Sequence, residues 1–377
     1  MANPFEYGGV VAESGFCNRG QEMEDLRRAA ENGDRLLIYA ERRMGKTSLV
    51  QRVLRKLPPR RYLPVYVDVW PTHDAASLAA GIAKAVTSAA ETKADRILTT
   101  AKDVFRHLVP SLTLDDADNP SVQFGARSGI APQPQLEDAL DGIQRLAETR
   151  DQRFVVVLDE IQRLGEYGED LAERVLRSRI QMHQGIAYFF LGSRKHLVEQ
   201  MFTDTTRPLF QSAGHYPLEA IATDDWLPFI SERFFRSLKR IPDEVVRELC
   251  ARTGGHPYYT QHFAHVLWEI SPQDQDVTPA DLDRAESVLL DRLAYTYTVL
   301  WEMLTTNQRL LLQGMAAEED DIQPFSSAFL KRIDMAQSSA HTAARAMLER
   351  DVLDRTPDGY VISDRFFRLW IWKTTRR

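Results

Sequence analysis

The sequence predicts an α/β chain: a parallel sheet with helices on both faces, then an all-helical unit, then a small α+β unit. Three observations predict it. Over roughly the first 220 residues, short continuous apolar runs alternate with stretches of helical period, the pattern of strands covered on both faces. After about Leu218 the strand signals fade. From about Tyr295, three helical stretches precede two short β runs around Pro357-Asp358-Gly359, the order of a winged helix. The expected division is therefore 1–220, 221–294 and 295–377.

The first strand is expected at Arg35–Tyr39, where RLLIY is a short apolar run. A helix follows, because Leu49, Val53, Leu54 and Leu57 recur at helical spacing until Pro58-Pro59 stops it. LPVYVDVW, Leu63–Trp70, is a second strand, and residues 75–90 read as a helix. Residues 110–135 are rich in Pro, Gly, Asp and Ser and read as an insertion, with SVQFGARS as a candidate hairpin. A helix over Leu136–Thr149 leads to RFVVVLDE, Arg153–Glu160, an apolar run ending in two carboxylates. A helix around Leu171–Gln181 and a fourth strand, Ile186–Ser193, complete the alternation. Residues 223–292 read as four helices. The last unit has helices near Asn307–Met315, Ser326–Ile333 and Ser338–Glu349.

Composition narrows the classes. A chain of 377 residues with 44% hydrophobic and 27% charged residues can bury a core in each of two or three domains. Cys17 and Cys250 alone cannot build a disulfide framework or a four-cysteine zinc site, so a reducing, cytoplasmic home is expected. No window approaches 18 consecutive apolar residues, and MANPFEYGG has neither the basic segment nor the apolar core of a signal peptide, so no membrane is expected. A net charge of −7 argues against a generally basic nucleic-acid coat and leaves room for a local basic patch.

The strongest chemical signal is Gly45-Lys46-Thr47, with Ser48, opening a helix directly after a buried strand. A loop before a helix N-terminus presents unpaired backbone N–H groups to phosphate oxygens, and the helix dipole favours the anion. Ala40, Glu41, Arg42, Arg43 and Met44 complete the loop of a P-loop NTPase. In this reading Lys46 reaches the β- and γ-phosphates of ATP and the Thr47 hydroxyl ligates Mg2+. The pattern asks for glycine at position 40, and Ala40 fits it if that residue keeps a negative φ.

Asp159 and Glu160, side by side at the end of a buried strand, would be costly in a core. They fit the carboxyl-terminal edge of a parallel sheet, where ligands bind. Asp159 is expected to hold Mg2+ through its water shell, and Glu160 to polarise the water that attacks the γ-phosphate. Ser193 and Arg194, at the tip of the next strand, could sense that phosphate, although serine is also common at strand ends.

Taken in order, NPFEYGG at Asn3–Gly9, FCNR at Phe16–Arg19, Glu22, ERRMGKTSL, VVVLDEIQRL, FFLGS and TGGHPYY resemble the archaeal-type and bacterial ATPases of the STAND/AAA+ superfamily. The resemblance covers nearly the whole chain and includes the terminal phrase FFRLWI, Phe366–Ile371. It implies an ATP-binding switch with a helical lid and a winged helix. It also implies that Phe16, Asn18 and Arg19 lie at the adenine and ribose edge, and that His256 and Pro257 of the lid contact nucleotide. From the residues alone, Gly-Gly-His-Pro is also a good helix start. Relatives often carry an arginine where this chain has Ser212, so Arg207 or Arg194 becomes the candidate arginine finger; otherwise hydrolysis is slow or needs a partner.

Two functional readings follow. One is an ATP/ADP switch whose hydrolysis resets self-association or a protein partner. The other is a regulator or loader that binds duplex DNA through residues 338–350. From Val299 onward Lys/Arg and Asp/Glu are equal in number, eleven each, and the recognition stretch offers only His341, Arg345 and Arg350. That balance favours docking over duplex binding and leaves both open. A small-molecule kinase is the third reading, opposed by the acid pair and the C-terminal extension.

Overall fold

The computed structural model describes residues 2–9, 15–91, 94–114, 120–193, 195–273, 275–318, 323–356 and 359–375. Arg194, the turn residues Pro357 and Asp358, and the basic tail residues Arg376 and Arg377 lie outside the described residues. The chain divides into two compact units, Arg19–Glu219 and Met1–Asn18 with Ala220–Arg377.

The first of these contains, in order, α1 (Gly20–Asn32), β1 (Arg35–Tyr39), α2 (Lys46–Lys56), β2 (Tyr62–Asp68), α3 (Ala75–Ala90), α4 (Ala94–Val104), β3 (Leu108–Leu114), β4 (Pro120–Ala126), α5 (Pro132–Thr149), β5 (Arg153–Asp159), a 3-10 turn over Ile161–Glu166, α6 (Leu171–Met182), β6 (Ile186–Gly192), α7 (Lys195–Thr203) and β7 (Gly214–Pro217). Five strands form one sheet in the order β2-β5-β6-β1-β7, and every pairing in it is parallel. β6 therefore separates the strand before the Gly-Lys-Thr loop from the strand that ends in the acid pair. Every residue of β6 and six of the seven in β5 are buried, as expected for strands covered on both faces. The register places Tyr39 opposite Gly192 and Asp68 opposite Asp159, so these strands finish together at one carboxyl edge.

Three expectations are corrected here. The edge strand β7 was not foreseen: GHYP is four residues long and mostly exposed, with no apolar run to mark it. The segment SVQFGA is not a hairpin by itself. It lies within β4, and β4 pairs antiparallel with β3, whose Leu112 stands opposite Val122. The helix expected from Leu136 begins at Pro132, with proline in its first turn, where the missing N–H costs nothing. α4, an additional helix with Ile97 and Ala101 buried against Val122 and Phe124, completes the insertion.

In the second unit, α8 (Thr223–Arg236), α9 (Asp243–Thr253), α10 (Pro257–Ile270) and α11 (Pro279–Glu302) are followed by α12 (Thr306–Ala316), α13 (Ser327–Arg332), α14 (Gln337–Glu349), β8 (Leu353–Thr356), β9 (Gly359–Ile362) and α15 (Arg365–Thr375). Residues 294 and 295 lie inside α11, an unbroken helix of 24 residues that starts with a Thr278–Asp281 capping box. The motif NPFEY straps onto α10: Asn3 Nδ2 donates to the His265 carbonyl at 3.0 Å, and the His265 ring meets the Phe5 carbonyl at 2.8 Å. β8 and β9 pair antiparallel as the wing. The C-terminal aromatics form core rather than a platform for bases: Phe366 and Phe367 are buried, and Phe367 lies 5.2 Å from Tyr297 and 6.0 Å from Trp370.

Candidate active site

The Gly-Lys-Thr loop joins β1 to α2. Gly45 sits at φ 85°, a left-handed conformation that glycine adopts without a Cβ clash. Arg43 takes φ 60°, less usual for a residue with a side chain. Ala40 is not among the positive-φ residues and is buried, so alanine meets the backbone requirement at the pattern's first glycine. Glu41 is half-buried, Arg42 and Arg43 are exposed, and Met44 and Ser48 are buried.

Lys46 is buried, and its Nζ donates to the carbonyls of Ala40, at 3.1 Å, and Glu41, at 2.9 Å. The ammonium thus lies folded along its own loop. Burial pulls its pKa down to about 8, against the opposing pull of the Glu160 and Asp159 carboxylates. The charged form is the one disfavoured, so Lys46's contribution to stability rises as pH goes from about 8 towards the ordinary lysine value of 10.5. A bound polyphosphate would reverse the shift. Above pH 8, ATP binding is expected to take up a proton at Lys46. Calorimetry in two buffers of different ionisation enthalpy would show it, and the uptake should be absent from Lys46→Ala.

Asp159 is the junction of the site. Its Oδ2 accepts from the Thr47 hydroxyl at 2.9 Å and from the Tyr66 hydroxyl, and its Oδ1 accepts from the Glu160 N–H at 2.9 Å. Thr47, at the start of α2, thereby reaches the acid strand although β6 lies between β1 and β5 in the sheet. The Tyr66 phenol is pushed well above its ordinary pKa by burial and by the Asp159 charge, so it remains a donor.

Glu160 takes φ 57° at the end of β5. Its Oε2 accepts from the Ser193 hydroxyl at 2.7 Å and from the Gln162 amide. Four of the expected residues, Thr47, Asp159, Glu160 and Ser193, are therefore linked through direct bonds, and Lys46 feels both carboxylates electrostatically.

Arg207, one of the two candidate arginine fingers, pairs in this structure with Glu173 of α6, a carboxylate only 1% exposed whose pKa burial raises while Arg207 opposes the rise. It pins the loop after α7 to α6. Arg19 caps α1 at φ 79° and pairs with Glu22 at 2.7 Å. Phe16, Asn18, His256 and Pro257 belong to the other compact unit. There Phe16 is half-buried and Asn18 exposed; His256 is the buried N-cap of α10 and Pro257 its first residue, as a Gly-Gly-His-Pro helix start requires. Tyr66 and Gln162 were not foreseen as site residues: Tyr66 reads as an ordinary strand residue, and Gln162 stands inside VVVLDEIQRL with no role of its own in the sequence reading.

Residues 30–201 match the family described as AAA domain, and residues 295–373 match the family described as "Probable winged helix domain". The chain thus matches an AAA domain over the sheet and a winged-helix domain at its C-terminal end, on a fold like that of P-loop ATPases. Among solved structures it is similar to the Walker-type ATPase PABY2304 of Pyrococcus abyssi, with 16% identity, a TM-score of 0.64 and coverage of 97% of this chain and 99% of that one. It is also similar to the ORC2 protein of Aeropyrum pernix, described as ADPNP-ADP complexes, with 12% identity, a TM-score of 0.53 and coverage of 98% and 99%. The ORC1 protein of Aeropyrum pernix, described in complex with DNA, has 15% identity, a TM-score of 0.50 and coverage of 95% and 93%. At these identities the likeness is one of fold. No curated protein matches the sequence. No helix among the described residues is long and apolar enough to cross a membrane.

Proposed function

We propose that the chain is a cytoplasmic ATPase switch that binds Mg-ATP at the Lys46 loop, hydrolyses it with Glu160 as base, and couples nucleotide state to the helical residues 221–294 and to self-association or a protein partner. The observation that carries this reading is the bond from Thr47 to Asp159, which fastens the phosphate loop to the acid strand. Glu160 stands next in the chain, held by Ser193.

Hydroxyl and carboxylate oxygens are hard donors of the kind Mg2+ takes, and one or two such groups suffice when phosphates supply the rest. Thr47 Oγ1 and Asp159 Oδ2 already converge, so the donor set fits, and these two residues would hold the ion. When bound, Mg2+ neutralises charge on the β- and γ-phosphates. The chain's own groups do the remainder. The Lys46 ammonium exchanges the Ala40 and Glu41 carbonyls for phosphate oxygens. The N–H groups from Gly45 onward cradle the phosphates at the α2 N-terminus. Glu160 accepts a proton from the attacking water. Ser193, freed from Glu160, donates to the terminal phosphate. The guanidinium that completes the site comes from Arg194, from Arg207 once it leaves Glu173, or from a partner, and hydrolysis by the isolated chain is slow or partner-dependent.

The winged helix supports a second, narrower reading as a duplex-DNA contact. The outer face of α14 presents Ser338, His341, Thr342 and Arg345 to solvent. Yet Arg345 lies 3.4 Å from Glu349 and His341 stacks on Phe325 at 3.9 Å, so the face has little unbalanced positive charge and better suits a protein partner.

Mass-resolved sizing with and without a non-hydrolysable ATP analogue tests the switch. A change in mass or hydrodynamic radius on adding the analogue, absent with Lys46→Ala, is the expected result. Identical behaviour with and without analogue, at concentrations where binding is saturated, would remove the coupling.

A further inference from the structure

We propose that Gln162 is a positioning residue for Glu160, holding one carboxylate oxygen so that the other faces the attacking water. The proposal rests on the hydrolytic reading above.

The geometry begins with the backbone. Glu160 occupies the left-handed region at φ 57°, a conformation that side-chain-bearing residues adopt at a cost and that recurs where a site requires it. From there the chain enters the 3-10 turn Ile161–Glu166, which carries Gln162 back beneath the residue two places before it. The Gln162 side chain is only 2% exposed. Its Nε2 donates to Glu160 Oε2 and lies 3.4 Å from the Ser193 hydroxyl oxygen, which itself donates to that same Oε2 at 2.7 Å. Two donors thus converge on one carboxylate oxygen. Among the described residues no donor reaches Oε1, the oxygen that the proposal gives to the attacking water.

Two further observations separate this contact from ordinary packing. Gln162 Oε1 is buried with no hydrogen-bond partner among the described residues. A half-satisfied buried amide costs stability that an apolar side chain of the same shape would not. Its amide bonds go to Glu160 and Ser193 and nowhere else among the described residues. The neighbouring strand also comes close to it. A Cβ on Gly192 would come within 2.1 Å of the Val198 side chain and 3.0 Å of Gln162 Oε1, so the glycine that ends β6 makes room chiefly for Val198 and also lies close against the amide.

A carboxylate on a flexible stem samples many orientations, and a general base works only within hydrogen-bond reach of the proton it takes. By fixing Oε2, Gln162 narrows Glu160 to orientations that aim Oε1 outward. When a terminal phosphate draws the Ser193 hydroxyl away, Gln162 keeps its hold.

The test compares Gln162→Met and Gln162→Glu with wild type, in single-turnover hydrolysis of labelled ATP and in direct ATP binding. Methionine keeps the length and removes the donor. Glutamate keeps the shape and, ionised, donates nothing. Both are expected to lower the hydrolysis rate by about 10-fold or more while the ATP dissociation constant stays within about twofold and the melting temperature of Gln162→Met holds. A Gln162→Met rate within about twofold of wild type would overturn the proposal. So would an ATP dissociation constant that weakens in step with the rate, because distortion of the whole site then explains the loss. Glu160→Gln, run in parallel, separates the proposal from the reading beneath it. If Glu160→Gln hydrolyses at the wild-type rate, the assignment of Glu160 fails and Gln162 falls with it. If Glu160→Gln is inactive and Gln162→Met is normal, only the positioning role fails.

Discussion

Lys46→Ala is expected to weaken ATP binding by about 100-fold or more, roughly 2.7 kcal/mol at 1.36 kcal/mol per decade. The size follows from two effects. Charge-assisted hydrogen bonds to phosphate are the strong kind, and Lys46 is buried, where the surrounding medium screens its charge less than water would. The same burial gives the variant a signature beyond lost affinity. Removing a buried cation relieves a desolvation cost but leaves the Ala40 and Glu41 carbonyls without their donor, so the nucleotide-free variant should melt close to wild type. Equilibrium titration with a fluorescent ATP analogue, alongside thermal melting, reads both. Retained ATP affinity in the variant would contradict the assignment of the loop.

The second large effect is on Glu160. Glu160→Gln is expected to bind ATP within about twofold of wild type and to hydrolyse it about 10²- to 10³-fold more slowly, the range associated with losing a general base. The substitution is nearly isosteric. Its amide can still accept from Ser193 through its oxygen, so the fold of the 3-10 turn should persist. The chain would then accumulate in its ATP state, and sizing of Glu160→Gln with ATP should match wild type with the non-hydrolysable analogue. A wild-type rate in this variant would show the mechanism to be wrong.

The parts of this site that could be read from the sequence are the local ones. Lys46 and Thr47 announce themselves because glycine, a buried strand and a helix start fall within about ten residues of one another. Asp159 and Glu160 stand out because acids after a run such as VVVL contradict a buried environment. What could not be read is pairing at a distance. Nothing in RLLIY or FVVVLD states that IAYFFLG will lie between them, since apolar runs of this kind are interchangeable in a sheet buried on both faces. Tyr66 sits in a strand whose pattern calls for apolar side chains, and its role comes from Asp159, 93 positions away. Gln162 follows Glu160 closely, but only the left-handed turn at Glu160 brings its amide back to the carboxylate. Arg207 shows the same limit: its pairing with Glu173, 34 positions earlier, has no mark in the local sequence.

The most direct measurement is a crystal structure with Mg2+ and a non-hydrolysable ATP analogue. The account predicts that Lys46 Nζ leaves the Ala40 and Glu41 carbonyls for the terminal phosphates. It also predicts that Thr47 and Asp159 gather around the ion, and that Glu160 turns its free oxygen to a water in line with the γ-phosphate. A triphosphate bound elsewhere, or one bound while Lys46 stays on its own loop, would contradict it.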